Sequence, residues 1–237
     1  MINQINNFCI SIIIYCVATP VFIISSILLL LINIFNRNLT FISLRFFSKI
    51  ILFLMGMSIK INGFFPDKKQ YIVMMNHTSF IDMFLYPLIM RGKWTGITSS
   101  ENFKYPLLSI ILKKMDAIPI KKTNKIGAIK TIQIAENKIS EGFHIGIMPE
   151  GARTLDGKML ELKKGGFHMA INTKAPILPI GVKGAFAAKP RNRWWIIPSK
   201  ITINIGKPIS VKSLTTKDID FLLKKVKAEL QFLSQNT

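Results

Sequence analysis

The sequence predicts an α/β domain, a central mixed sheet flanked by helices, behind an N-terminal apolar helical segment that anchors it to a membrane. Three observations lead there. From about residue 61 onward, short apolar runs of strand length alternate with helical patterns, which no bundle or sandwich requires. The first 60 residues contain an uncharged apolar stretch of bilayer length. A formal charge of +20 is combined with a positive mean hydropathy of +0.36. Soluble basic proteins owe their charge to polar surface, so this combination points to a membrane surface and anionic lipids. The crowding of Ile, Lys and Asn also allows part of that charge to come from compositional bias. The expected organisation is an anchor over residues 1–60 and a folded domain over 61–237. With 49% hydrophobic residues the chain buries enough to outweigh ordering entropy, and two cysteines exclude a disulfide scaffold.

Taken in order, residues 8–35 carry no charge and are apolar apart from Ser, Thr, Tyr, Cys, Pro20 and Asn33. A cleaved signal would begin with basic residues, and residues 1–7 contain none. Positive charge first appears at Arg37, Arg45 and Lys49. For a spanning segment this places the remaining chain on the cytoplasmic side of the inner membrane. Pro20 and the polar 33–38 stretch equally permit a helix that turns back. A second apolar segment, about 39–59, carries Arg45 and Lys49 on one helical face, the pattern of a helix lying in the interface. Spanning and lying flat both fit. Cys9 and Cys16 share a helical face here, where packing is their ordinary role.

Beyond Asn62-Gly63, strands are expected at 71–75, 117–120, 143–148, 177–182 and 200–205. Helices are expected at 80–90, 127–139, 165–173 and 217–233. The last has apolar Ile219, Leu222, Val226, Leu230 and Leu233 on one face, with Thr215 and Asp218 as its capping box.

Several chemistries are excluded. There is no G-x-S-x-G nucleophile elbow, and Ala152-Arg153 stands where a phosphate loop needs Lys-Ser/Thr. Three His, at 77, 144 and 168, without ligand-like Cys do not make a zinc site, and no nucleic-acid module shows its signature. Two clusters are left, each following a strand. In Asn76-His77-Thr78-Ser79-Phe80-Ile81-Asp82, the imidazole stands at a strand's carboxyl edge, where open α/β sheets bind ligands. Asp82 lies near enough to fix its tautomer and leave the other nitrogen free for a proton. The competing reading makes Ser79 a helix cap and Asp82 its partner, with His77 an ordinary turn residue. In Met148-Pro149-Glu150-Gly151-Ala152-Arg153-Thr154, Gly151 permits close backbone approach and Arg153 offers a fork for phosphate.

Together and in this order, the two clusters resemble motifs of the glycerolipid acyltransferases, specifically the bacterial 1-acylglycerol-3-phosphate acyltransferases. Asn76, His77 and Asp82 match the motif N-H-x4-D. Pro149, Glu150, Gly151 and Arg153 match F-P-E-G-T-R-S, from which Met148, Ala152 and Thr154 depart conservatively. Asp156-Gly157-Lys158, the 162–167 segment and the 175–180 segment look like the continuation, and the likeness runs from about Tyr71 to Gly184. The intervening motif is less faithful, with Glu101, Lys104 and Pro106 in place but Lys122 standing where the family has Arg.

The resemblance implies fatty acyl transfer, without metal or organic cofactor, from acyl carrier protein or acyl-CoA to the sn-2 hydroxyl of a lysophospholipid. His77 is then the general base and Asp82 its partner. The acceptor's phosphate falls to Arg153, then Lys104 and Lys122, with Glu150 and Gly151 lining the acceptor site and backbone N–H groups near Gly151 offered to the oxyanion. A family member acting on glycerol 3-phosphate or a lyso-aminolipid, and a silent basic membrane-binding protein, are the alternatives. Arg191-Asn192-Arg193-Trp194-Trp195 fits either headgroup-level docking or ordinary packing, and Lys224, Lys225 and Lys227 read as a solvated helix face.

Overall fold

A computed structural model describes residues 2–67, 69–121 and 125–235. The chain opens with α1 (Ile2–Phe35) and α2 (Arg37–Leu54), separated by Asn36 alone. Asn36 is extended, and its side-chain oxygen accepts from the N–H groups of Asn38 and Leu39, which a new helix otherwise leaves unpaired. Within the polar 33–38 stretch, Asn36 alone breaks the helix and lets α2 pack against α1, and Pro20 lies inside α1 without ending it. The second apolar segment stops being helical at Leu54. Gly56, at φ +73, turns the chain, and Met57 already belongs to a strand.

The sheet is built from β1 (Met57–Asn62), β2 (Ile72–Met75), β3 (Trp94–Ser99), β4 (Ile118–Ile120), β5 (His144–Ile147), β6 (Ile177–Lys183) and β7 (Ser199–Ile205). Its order is β1-β7-β6-β2-β5-β3-β4. Every neighbouring pair is parallel except β6 and β7, so the sheet is mixed, as expected. The sequence reading passed over β1 and β3 because neither shows a continuous apolar run. β1 is an edge strand, largely open along its length, and β3 is only half-buried.

Helices cover both faces. The remaining ones are α3 (Asp82–Ile89), α4 (Pro106–Lys114), α5 (Lys125–Ser140), α6 (Gly165–Thr173), α7 (Ala185–Ala188) and α8 (Ile219–Gln235). Alternation along β2 sends Val73 and Met75 into one core with α1, α2, α3 and α7, and Ile72 and Met74 into the other with α5, α6 and α8. The capping box at Thr215 and Asp218 is present ahead of α8. Gly181 lets α8 close on β6, since a Cβ there would stand 2.3 Å from the Leu233 carbonyl carbon.

The apolar N-terminal segment is built into the first core rather than tethered to it. Ile14 and Ala18 of α1, and Ile51, Leu52 and Met55 of α2, are buried there. Ser11 exchanges hydrogen bonds with the backbone of Ile196, 3.0 Å to its carbonyl and 2.9 Å from its N–H. The Tyr15 hydroxyl donates to the Trp194 carbonyl at 2.6 Å, and Phe8 meets the Trp194 ring edge-on. Arg45, expected to mark an interfacial face, instead donates to the carbonyls of Pro87 and Met90 at the end of α3, where a cation is favoured. The outward sides of α1 and α2 leave Ile13, Ile24, Ile34, Phe35, Ile42 and Phe53 exposed.

Candidate active site

β2 ends at Met75, and its alternation carries over into the next residues. His77 continues the side of Val73 and Met75, the side on which α3 lies. Asn76 is tied down first: its side chain donates to the Val182 carbonyl at 3.0 Å and accepts the Val182 N–H at 2.7 Å. That double bond, side chain to neighbouring strand, fixes where the chain leaves the sheet. Asp82, fully buried, opens α3. Its Oδ2 accepts from His77 Nδ1 at 2.9 Å and from the N–H groups of Thr78 and Ser79 at 2.8 and 2.9 Å. Only half of the expected capping box forms: Asp82 takes the Ser79 N–H, but Ile81 precedes α3 without a side-chain cap and the Ser79 hydroxyl accepts from the Ile81 N–H at 3.1 Å. The same Asp82 oxygen shapes the turn and orients the ring. An ionised carboxylate only accepts, so Nδ1 carries the proton and Nε2 keeps its lone pair. The His77 side chain is 23% exposed, enough to meet a substrate.

The second cluster follows β5 and packs against the first. The Glu150 oxygens accept the N–H of His77 at 2.6 Å and of Leu160 at 2.7 Å. Burial raises the Glu150 pKa, and those two backbone donors oppose the rise. Glu150 thus holds the histidine's backbone and closes the 150–160 loop. Lys163 N–H closes it again on the Pro149 carbonyl at 2.7 Å. Gly151 has φ +70, the left-handed conformation that a side chain resists. Its N–H donates to the Met148 carbonyl at 3.0 Å, so of the N–H groups near Gly151 offered to an oxyanion, that of Gly151 itself closes the turn. Thr154 N–H donates to the His77 carbonyl at 3.1 Å, bringing half-buried Arg153 to the same turn.

Lys104 follows β3, with β5 lying between β3 and β2. It is 72% exposed and pairs with Glu101 at 2.6 Å. Lys122 lies outside the described residues. His144 is buried between Tyr71 and Phe65, with Nδ1 accepting the Tyr71 N–H at 3.0 Å. Sequence reasoning offered Ser79 only as a helix cap and missed that its hydroxyl donates to the Lys189 carbonyl at 2.7 Å; it also missed the Tyr86 hydroxyl, which donates to the Ile147 carbonyl at 2.9 Å. Neither partnership has a local sequence signal.

The sequence profile described as Acyltransferase matches residues 58–183, more than half of the chain. The chain belongs to the acyltransferase family. Among acyltransferases, a 1-acyl-sn-glycerol-3-phosphate acyltransferase of Limnanthes douglasii is 30% identical over 178 residues, covering 75% of this chain and 63% of that protein. The alpha form from Homo sapiens is 25% identical over 180 residues, covering 74% of this chain and 63% of its own length. The chain therefore spans just under two thirds of these curated relatives. A crystal structure of the 1-acyl-sn-glycerophosphate (LPA) acyltransferase PlsC from Thermotoga maritima shares the fold, with a TM-score of 0.82 at 21% identity over 99% of this chain and 100% of that one. The family resemblance carried by the two motifs is thus upheld, and both motifs lie inside the matched region.

Proposed function

We propose that this acyltransferase moves a fatty acyl group from a thioester donor to the sn-2 hydroxyl of 1-acylglycerol 3-phosphate, giving phosphatidic acid. The observation that carries the proposal is the His77–Asp82 pair, with Nε2 free to take a proton at the carboxyl edge of the sheet. The printed names of the relatives supply the acceptor. An alcohol is a poor nucleophile at neutral pH and needs a base within hydrogen-bond reach. As the hydroxyl oxygen attacks the thioester carbonyl, its proton passes to His77 Nε2, and Asp82 stabilises the imidazolium. The tetrahedral intermediate expels the thiolate, which takes the proton back, so the base is regenerated and no covalent enzyme intermediate forms.

Arg153 is assigned to the acceptor's phosphate because it sits beside the His77 turn. Lys104 and Lys122 are secondary candidates from the family motif. Acyl carrier protein and acyl-CoA both present a suitable thioester, and no metal or organic cofactor is required. Membrane attachment is supported by the 30-residue apolar stretch Asn6–Phe35, long enough to cross a bilayer, and by the exposed apolar sides of α1 and α2. The placement assigned is the inner membrane with the catalytic domain on the cytoplasmic side, where anionic lipids meet the positive chain. The test is purified full-length protein with radiolabelled acyl thioesters and a panel of lysophosphatidate, other lysolipids and glycerol 3-phosphate. Phosphatidate should be the main product; acylation of another acceptor in preference would reassign the substrate, and no transfer to any would sink the proposal.

A further inference from the structure

On the side of the sheet that carries the His77 ring, the chain leaves α7 through Lys189. The Lys189 carbonyl accepts the Ser79 hydroxyl at 2.7 Å, two residues from His77. From the other direction, Thr154 N–H holds the His77 carbonyl at 3.1 Å, one residue from Arg153. Two cations are thereby suspended from opposite sides of a single turn. A third, Arg193, braces the segment: its guanidinium donates to the carbonyls of Ala187 at 2.5 Å, Ala188 at 2.7 Å and Trp195 at 3.2 Å. The Lys189 ammonium donates to the carbonyls of Pro190 and Arg193, which occupy two of its donors and leave another free.

Among the described residues, none of these three cations forms an ion pair with a carboxylate. Burial, and then the charges of Arg153 and Arg193, hold the Lys189 pKa below the usual lysine range. Gathered like charges in a partly desolvated site repel one another until an anion arrives. The backbone bonds fix where the Arg153 and Lys189 side chains leave the chain beside the His77 turn.

We infer that Lys189 is a binding residue that grips a phosphate monoester jointly with Arg153, and so selects phosphorylated acceptors over neutral ones. The assignment of that phosphate to the acyl acceptor rests on the proposed function. The chemistry fits, because a short chain of bonds joins the sn-2 hydroxyl to the phosphate, and His77 must receive the hydroxyl's proton. Arg153 offers a planar fork and Lys189 a point charge, a combination suited to the several oxygens of a dianion.

The test uses Lys189→Met, which keeps the aliphatic stem and removes the charge, and Lys189→Arg as the conservative variant. Lysophosphatidate binding is measured without donor, and transfer kinetics with it, both in neutral detergent so that no anionic bilayer contributes. Lys189→Met should weaken lysophosphatidate binding and raise the acceptor KM about tenfold, with donor KM and the binding of neutral 1-acylglycerol unchanged. Lys189→Arg should recover most of the loss. A variant with wild-type lysophosphatidate binding overturns the inference, as does an equal rise in both KM values together with a lowered melting temperature. Loss of adsorption to phosphatidylglycerol vesicles alone, with acceptor KM unchanged, also overturns it and assigns the cation to the membrane. Wild-type protein that binds lysophosphatidate through Lys189 yet transfers nothing would leave this site standing and remove the acyl-transfer reading instead.

Discussion

Asp82→Asn separates the two duties of one oxygen. Asp82 Oδ2 accepts from the N–H groups of Thr78 and Ser79 and from His77 Nδ1, while Oδ1 is buried without a partner. An asparagine therefore fits with its carbonyl on the three donors and its amide group in the place of Oδ1. The shape of the turn is preserved, and each backbone bond weakens from charge-assisted to neutral, about 1 kcal/mol apiece and about 2 kcal/mol for the pair. Removing a buried charge offsets part of that cost, so the fold survives with a modestly lower melting point. The imidazolium formed during transfer, however, loses its countercharge, and turnover should fall about 10²–10⁴-fold. Melting temperature and single-turnover acyl transfer are measured on Asp82→Asn, His77→Ala, the double variant and the parent. The double variant should lose little beyond the worse single one, as expected of groups that act as a unit. If Asp82→Asn melts lower but keeps turnover within about threefold, the carboxylate is only a cap and the base assignment fails.

Other expectations concern stability and attachment. His144 is buried, and that burial lowers its pKa from 6.5 to about 4. The unfolded chain takes up its proton from about pH 6.5 downward and the folded chain only near pH 4, so stability should drop as pH falls across that window. The loss is bounded by about 3 kcal/mol and reduced by solvent reaching the ring, and His144→Asn should flatten the pH profile of urea midpoints. Gly181→Ala puts a Cβ 2.3–2.4 Å from Leu233 atoms of α8; a loss of about 1–3 kcal/mol in denaturant unfolding is expected, and unchanged stability would mean α8 shifts freely. Full-length protein should stay with membranes in ~1 M NaCl and leave only with detergent, because burial of α1 and α2 apolar surface does not depend on ionic screening. Release by salt alone would make the attachment electrostatic.

Local patterns were enough to find the alternation of strands and helices, the apolar N-terminal segment, and the His77–Asp82 pair with its two competing readings, because each depends on residues near one another in the chain. They also sufficed for the capping box before α8, a contact of i and i+3 residues. Edge strand β1 and half-buried β3 escaped, since without two covered faces a strand leaves no apolar run to read. Only tertiary structure decided that Glu150 holds the backbone of His77 across 73 residues. It likewise decided that Arg45 serves the end of α3, that α1 is bonded to Ile196, and that Lys189 hangs from Ser79 across 110 residues. Each of these depends on which strands became neighbours, and the non-sequential order β6-β2-β5 is fixed by packing two cores at once, a long-range balance that no local window contains.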